Sequence, residues 1–228
     1  VAVADDDPAG LEEAGQRLGV EKLYADYHEM LKNEWFDIVS ICPRWLDQHA
    51  EMVFAVAEAG ACIFLEKPIA RTLAEADEMI ETCEKAGIMM GMAHQGRMHA
   101  AAHHAKQLLL EGVLGDIISI QMHGKEDRRG GGEDLMVLGT HLFDMLRFLL
   151  GRNPYWVYGS VTTSKGQSIT GADAVEGPEE LGLIAGESIH ALYGFGNGVT
   201  ATFETRRDQP SHAFRYGMWI YGTSGIMT

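Results

Sequence analysis

The chain has 228 residues, of which 46% are hydrophobic and 22% charged, and it carries a formal net charge of −15. This length is enough for one large or two ordinary domains, and the composition is that of a globular protein rather than a disordered or fibrous one. The negative charge repels phosphate backbones, so we expect no nucleic-acid partner. The longest apolar runs fall well short of the roughly 18 residues that span a bilayer, so we expect no membrane partner either.

The cysteines bear on the cellular compartment. Cys42, Cys62 and Cys83 lie within apolar or helical patterns and show no paired spacing. This usage is typical of reduced core thiols, so we expect a cytoplasmic protein. The sequence opens on the strand-like VAVADDDP, with no initiating Met and no signal-peptide pattern. We therefore expect both ends of the chain to be incomplete, and an export signal on a missing start stays open.

Residues 1–97 alternate short β-branched runs with helical patterns, which predicts a Rossmann-like domain with a parallel sheet. The first helix is expected to begin at Asp7 and Pro8 and to end at Gly19. The run ACIFLE (residues 61–66) is almost continuously apolar. Such a run is typical of a strand covered on both faces.

Residues 98–228 show a different pattern, which predicts an α+β domain with an open, mainly antiparallel sheet. SIHALYGF and VTATFET each place apolar residues at alternate positions, and Asn197-Gly198 between them is typical of a hairpin turn. One long helix is expected over residues 133–151. The Gly-rich, acidic stretch 165–186 has no clear period and is expected to form a long loop.

Polar residues collect where the predicted parallel strands end. Ligands of an open parallel sheet bind beyond the carboxyl ends of its strands, where loops and helix N-termini present donors. We predict that the cofactor is contacted by Asp5, Asp6, Cys42, Pro43, His49, Glu66, Lys67 and His94. We predict that the substrate is contacted by Trp45, Arg97, Arg128 and His141.

The carboxylate of Asp5 bears on the choice of cofactor. A carboxylate at such a strand end bonds the adenosine ribose hydroxyls and repels a 2′-phosphate, and Asp6 and Asp7 add to the repulsion. We therefore expect NAD rather than NADP, although Asp5 taken alone is more typical of a helix-capping turn residue. The fingerprint G-x-G-x-x-G is absent from the chain and would lie about twenty residues upstream of Asp5.

Four features in order, a strand ending in Asp, CPRWLDQH, EKP and GEDLMVLGTHLFD, resemble the Gfo/Idh/MocA family of NAD(P)-dependent oxidoreductases, which act mostly on sugars and cyclitols. The likeness covers nearly the whole chain. It implies a Rossmann domain followed by an α/β domain whose open sheet is commonly used for dimerisation. It also implies that Lys67 reaches the nicotinamide and the substrate hydroxyl, that Glu66 helps position Lys67, and that the Lys67–Pro68 peptide is often cis.

His141 is the candidate base. Removing a hydride from a carbinol carbon requires the hydroxyl proton to leave as well, so a base must lie within hydrogen-bond reach. Helical spacing places His141 beside Asp144, which would fix the imidazole tautomer while Lys67 stabilises the developing alkoxide. The predicted core stripe of the same helix is Leu135, Leu138, Leu142, Met145 and Leu149.

One position departs from the family pattern. Many sugar and cyclitol dehydrogenases of the family carry an Asp one turn before this His, and here the position is Val137. Asp134, one turn further back, is expected to cap the helix. Arg128 and Arg129 precede Gly130–Gly132 at the expected substrate mouth, with a solvated loop as the alternative.

The sequence thus predicts hydride transfer between NAD and a hydroxyl-bearing carbon of a sugar, polyol or cyclitol, carried by Lys67, His141 and Asp144. Two other functions stay open: a glycosidase that oxidises a sugar transiently with bound NAD, and a non-catalytic dinucleotide-binding regulator. We expect no metal site, because His99 and His103 lack the Glu of a zincin pattern. We expect a second copy of the chain to cover the open sheet.

Overall fold

The computed structural model describes residues 1–208 and 215–228. The chain divides into two compact units, Val1–Ala93 and His94–Thr228. The sequence analysis places the boundary four residues later, after Arg97. No helix within the described residues is long and apolar enough to cross a membrane.

The first unit alternates strands with helices. Its strands are β1 (Val3–Ala4), β2 (Leu23–Tyr24), β3 (Ile38–Ile41), β4 (Cys62–Leu65) and β5 (Met90–Met92). Its helices are α1 (Pro8–Leu18), α2 (Tyr27–Asn33), α3 (His49–Glu58) and α4 (Leu73–Ala86). β1 pairs in parallel with β2, and β3, β4 and β5 form a parallel sheet in that order. The predicted Rossmann-like parallel pairing is therefore confirmed.

The ends of α1 follow from local sequence. The Asp7 side chain accepts hydrogen bonds from the backbone N–H groups of Ala9 and Gly10, which no helical carbonyl can reach. Pro8 occupies the first turn, where its missing N–H costs nothing. Gly19 ends the helix at φ 65°, a left-handed conformation that glycine adopts without a steric penalty. The predicted beginning and end of this helix are confirmed.

The core of the first unit lies on one face of β4. Ile63 and Leu65 are buried and pack in one cluster with residues of α3 and α4. Phe64, which points to the opposite face, is 40% exposed. The prediction that this strand is covered on both faces is therefore wrong in the structure, because α3 and α4 cover only the face of Ile63 and Leu65.

The three thiols lie in different environments. Cys83 is buried, Cys62 is half-buried and Cys42 is exposed, and all three are free. Burial raises the pKa of the Cys83 thiol. The expectation of core thiols is wrong for Cys42, because this residue follows the end of β3 rather than lying within it.

The second unit is built around one large sheet. Its strands are β6 (Ile117–His123), β7 (Trp156–Thr162), β8 (Val175–Glu176), β9 (Leu183–Ile184), β10 (Ser188–Phe195), β11 (Val199–Arg206), β12 (Gly217–Gly222) and β13 (Ile226–Met227). Its helices are α5 (Ala100–Leu110), α6 (Gly132–Asp134) and α7 (Thr140–Leu150). The sheet order is β13-β12-β6-β11-β10-β7, with β6 and β11 parallel and the other described pairs antiparallel. The predicted open, mainly antiparallel sheet is confirmed.

The hairpin between β10 and β11 forms where predicted. Asn197 and Gly198 both adopt positive φ angles, 64° and 79°, which matches the twist of the flanking strands. The turn pairs Phe195 with Val199, so the alternating apolar residues of both strands face the same side. That side packs against Leu142 and Leu146 of α7. By contrast, the stretch predicted as a long loop contains the short β8–β9 hairpin.

The predicted long helix forms as one continuous helical run, with a π-helical turn inside it. The chain runs from α6 through a π-helical turn, Leu135–Gly139, into α7. A π turn inserts one residue, so positions that a 3.6-residue period would stack are rotated apart. Leu142 and Leu146 therefore form the buried core contacts of α7, whereas Leu138 and Met145 of the predicted stripe are half-buried.

Asp134 is buried rather than placed as an exposed helix cap. Its side chain is 0% exposed and accepts hydrogen bonds from the Thr205 hydroxyl and from the Glu126 backbone N–H. Both donors reach one carboxylate oxygen, and the other oxygen has no hydrogen-bond partner within the described residues. Asp134 ties the start of the helix to β11, and the prediction that it caps the helix is wrong.

Candidate active site

The loop after β4 carries Lys67. The Glu66 backbone N–H donates to the Ile41 carbonyl at 2.9 Å, which extends the β3–β4 pairing by one step. The Glu66 carboxylate turns back and accepts from the Lys67 backbone N–H at 3.1 Å. The Lys67–Pro68 peptide is cis, as the resemblance implied. The backbone at Lys67 is thus fixed at the carboxyl end of the central strand.

His49 contacts the chain just after Lys67. The side chain is 2% exposed, and its Nδ1 lies 3.3 Å from the Ile69 carbonyl oxygen. The sequence analysis assigned His49 to the cofactor. A ring this buried leaves little surface for a ligand, so its visible contribution is to hold the residues that follow Lys67. That contact joins residues 20 positions apart, and no local sequence signal marks it.

The ends of three neighbouring strands lie at the same edge of the sheet. Ile41, Leu65 and Met92 are register partners across β3, β4 and β5. Because the strands are parallel, the residues that follow each of them leave the sheet side by side. Cys42 and Pro43 are therefore neighbours of Glu66, as a shared ligand edge requires.

The segment after β3 is accessible. The Cys42 sulfur lies 3.1 Å from the Ser40 hydroxyl. Trp45 is 46% exposed, and the Arg44 guanidinium lies 5.6 Å from its ring centroid. An exposed indole with a cation over its face offers an amphipathic surface to a polar ligand.

Asp5 occupies the corresponding position after β1. Its backbone N–H continues the pairing with β2 by donating to Tyr24, and one carboxylate oxygen accepts from the Asp7 N–H at 2.9 Å. Asp5 and Asp6 are both exposed. The structure thus shows the turn role of Asp5, and the exposed carboxylate still fits the hydroxyls of a ribose.

In the second unit, a cluster of polar side chains surrounds the start of α7. The His94 Nε2 lies 2.9 Å from the Thr140 hydroxyl, and its Nδ1 lies 3.5 Å from a carboxylate oxygen of Asp144. The rings of His94 and His141 meet edge to face, with centroids 5.7 Å apart. The structure therefore brings two predicted ligand-contacting histidines together, and it adds Thr140, which the sequence analysis missed.

Arg97 and Asp144 form an ion pair. The Arg97 Nε donates to one carboxylate oxygen at 2.9 Å, and a second guanidinium nitrogen donates to the other oxygen. Asp144 is 8% exposed, and its hydrogen bonds raise the pKa of Arg97. The sequence analysis assigned Arg97 to the substrate and Asp144 to His141. The structure shows that the two residues are partners, a contact across 47 positions that helical spacing could not reveal.

Arg128 lies apart from this pairing. It is exposed in the loop between β6 and α6, beside Arg129. Hydrogen bonds from Arg129 lower the pKa of the Asp127 carboxyl to about 2.

Within residues 1–208 and 215–228, no group of three or more His, Cys, Asp or Glu side chains is arranged to hold a metal ion.

Comparison with known families identifies the class of protein. Residues 1–94 match the family model described as an oxidoreductase family with an NAD-binding Rossmann fold. Residues 102–228 match the model of the GFO/IDH/MocA C-terminal domain. The chain belongs to the Gfo/Idh/MocA oxidoreductase family.

Individual relatives are sugar and cyclitol dehydrogenases. The chain is 34% identical over 164 residues to a D-apiose dehydrogenase of Paraburkholderia graminis, covering 66% of this chain and 43% of the relative. It is 30% identical over 169 residues to a myo-inositol 2-dehydrogenase of Thermotoga maritima, covering 70% and 50%. The chain thus spans about half the length of these curated relatives.

A solved structure shows the same fold. The crystal structure of a myo-inositol 2-dehydrogenase from Lactobacillus plantarum superposes with a TM-score of 0.76 at 24% identity, covering 100% of this chain and 67% of that one.

The Arg97–Asp144 pair can be tested by Asp144→Asn. The amide keeps the shape of the carboxylate but leaves the half-buried Arg97 without its countercharge. We expect a loss of about 1 to 3 kcal/mol in the free energy of unfolding, measured by urea denaturation followed by circular dichroism. The matched control is Asp116→Asn, at an exposed carboxylate with no described partner. Equal stability of the two variants would show that the pair contributes nothing.

Proposed function

We propose that this protein is an oxidoreductase that transfers a hydride between NAD and a hydroxyl-bearing carbon of a sugar, polyol or cyclitol. The observation that carries the proposal is the fixed position of Lys67 at the carboxyl end of β4, the central strand of its sheet. An ammonium group at this edge faces the region where ligands of parallel sheets bind. The D-apiose and myo-inositol dehydrogenases among the relatives act on polyhydroxylated carbon chains or rings, which supports this substrate class.

Lys67 and His141 carry the proton chemistry in this proposal. A bound NAD would supply the hydride acceptor. As the substrate hydroxyl loses its proton, the Lys67 ammonium stabilises the negative charge that develops on oxygen. His141 takes the proton as general base, a role suited to a side chain whose ordinary pKa lies near neutrality.

The other polar residues at the start of α7 hold His141 in place. Thr140 and Asp144 both contact His94, and the His94 ring packs edge to face on His141. The Arg97–Asp144 ion pair fixes the position of the Asp144 side chain. In this proposal Arg97 does not bind the substrate directly, because its guanidinium is bound to Asp144. It affects the substrate by holding the neighbouring polar side chains in position.

NAD is the proposed cofactor rather than NADP. The exposed carboxylates of Asp5 and Asp6, with Asp7 one residue on, put three negative charges next to the position that a 2′-phosphate would take. The Asp5 carboxylate retains one oxygen that the Asp7 N–H does not use, and this oxygen fits a ribose hydroxyl.

The open sheet of the second unit is proposed to bind a second copy of the chain. Trp156 and Tyr158 of β7 are 50% and 75% exposed, and Leu192 is the register partner of Tyr158 on the same face. An edge strand that exposes large apolar rings is unfavourable in water unless a partner covers it. A twofold dimer satisfies this requirement with a single surface.

The catalytic roles are tested by Lys67→Met and His141→Asn. We expect each variant to lose turnover by about 10²- to 10⁴-fold, because the proton and charge chemistry is removed. His141→Asn should retain NAD binding within a few-fold, because His141 is not among the proposed cofactor contacts. Turnover is measured by reduced-nicotinamide absorbance with a panel of polyols, sugars and cyclitols, and NAD binding by calorimetry. The control is Lys165→Met, at an exposed lysine in the loop after β7.

Normal turnover in Lys67→Met would defeat the catalytic assignment. Cleavage of a glycoside without net formation of reduced nicotinamide would identify the transient-oxidation glycosidase instead. NAD binding with no turnover on any member of the panel would favour a regulatory protein.

The cofactor choice is tested by Asp5→Asn. Removing the charge should shift the ratio of NAD to NADP affinity toward NADP by about five- to tenfold, since two unit charges about 4 Å apart in water repel by about 1 kcal/mol and about 1.4 kcal/mol corresponds to tenfold. Affinities for both cofactors are measured by calorimetry, with Asp77→Asn on the exposed face of α4 as the control. An unchanged ratio would return Asp5 to the role of a turn residue.

The dimer is tested by Tyr158→Lys. A charge at the centre of the proposed interface should move the sedimentation coefficient at micromolar concentration toward that of a monomer. Leu73→Lys, at a residue 86% exposed on α4, is the control and should leave assembly unchanged. A wild-type protein that sediments as a monomer would contradict the proposal.

A further inference from the structure

A cationic cavity lies at the carboxyl end of α7, within the second unit. Its volume is about 350 Å³, and the side chains that line it are Arg97, Lys106, Arg147, Phe148, Arg152 and Asn153. The whole chain has 18 Lys and Arg residues and a formal net charge of −15. Four of those cations around one cavity, in a protein otherwise dominated by carboxylates, are a local reversal of charge. We propose that this cationic cavity binds a compact dianion of the phosphoryl class.

The charge of the cavity is not balanced by the protein. Arg97 is paired with Asp144. Lys106, Arg147 and Arg152 have no carboxylate partner in the described part of the chain. The carboxyl end of a helix supplies only about half a negative charge. About two and a half positive charges therefore remain, and a phosphoryl group, which carries about −1.5 to −2 at neutral pH, would nearly neutralise them.

Lys106 and Arg147 are held by neutral groups, which leaves their charge available. The Lys106 Nζ lies 4.3 Å from the ring centroid of Phe148, and the Arg97 guanidinium carbon lies 5.7 Å from the same ring. The Arg147 Nε donates to the Asn153 side-chain oxygen at 2.7 Å. An aromatic face and an amide orient a cation without neutralising it. The remaining guanidinium N–H groups can then bind phosphoryl oxygens in pairs.

The cavity is separate from the proposed catalytic residue. Arg147, the first residue of α7 that lines the cavity, lies six positions after His141, which at 1.5 Å per residue is about 9 Å along the helix axis. A ligand in the cationic cavity would therefore not occupy the place of the His141 imidazole. The inference is independent of the proposed function, so either can fail without the other.

The test is calorimetric titration of the protein with inorganic phosphate and, in separate arms, with ribose 5-phosphate and with ribose. We expect both phosphorylated ligands to bind and neutral ribose not to bind in the same range. Affinity should fall as chloride is raised, because the contacts are charged. Tighter binding of ribose 5-phosphate than of inorganic phosphate would identify a phosphorylated metabolite as the ligand, and the reverse order would identify free phosphate.

The double variant Arg147→Gln/Arg152→Gln should weaken phosphate binding at least tenfold. Arg17→Gln, at an exposed arginine in the last turn of α1, is the matched control and should leave binding unchanged. If the double variant unfolds, Lys106→Gln serves in its place and should weaken binding several-fold. Equal phosphate affinity in the cavity variants and the control would overturn the proposal, as would loss of phosphate binding on saturation with NAD, which would place the phosphate at the cofactor site.

Discussion

The ion pair between Arg97 and Asp144 is the interaction on which the second unit's polar architecture depends. Asp144 is buried within a helix that otherwise packs Leu142 and Leu146 into the core, so its charge needs a partner at close range. Arg97 meets that need from the turn Gln95–Met98. The pair fixes this turn on α7, and the turn places His94 beside Thr140. The same guanidinium forms one wall of the cationic cavity, so two sites depend on one pair.

Much of the fold could be predicted because its signals are local. Asp7, Pro8 and Gly19 act on backbone groups within a few residues of themselves, and the observed helix begins and ends with them. Asn197 and Gly198 adopt the positive φ angles that their residue types permit, which sets the register of the whole β10–β11 hairpin. The edge that carries Lys67 follows from the same kind of evidence, because the ends of the strands were visible in the sequence.

The contacts of the candidate site were less predictable because they join distant residues. Asp134 meets Thr205 across 71 positions, and His49 meets Ile69 across 20. The π-helical turn Leu135–Gly139 adds a second difficulty, since every spacing argument for this helix assumed a uniform period. Asp134 was expected to cap the helix and Asp144 to lie beside His141. The structure buries both and gives each a partner that only the folded chain supplies.

In the second unit, the glycine run packs against backbone, and basic side chains rather than glycine N–H groups are available to bind an anion. Gly130–Gly132 look like a ligand loop in the sequence, yet a Cβ on Gly130 would overlap the backbone of Arg206 and Arg207, and one on Gly131 would overlap that of Gly186 and Glu187. These glycines permit close packing of backbone, and all three are buried. Anion recognition must then come from side chains. In the second unit, the cationic cavity supplies such side chains. Arg147 of α7 is bound by the neutral Asn153 amide, and the Phe148 ring contacts the Lys106 ammonium of α5, so neither cation is neutralised there.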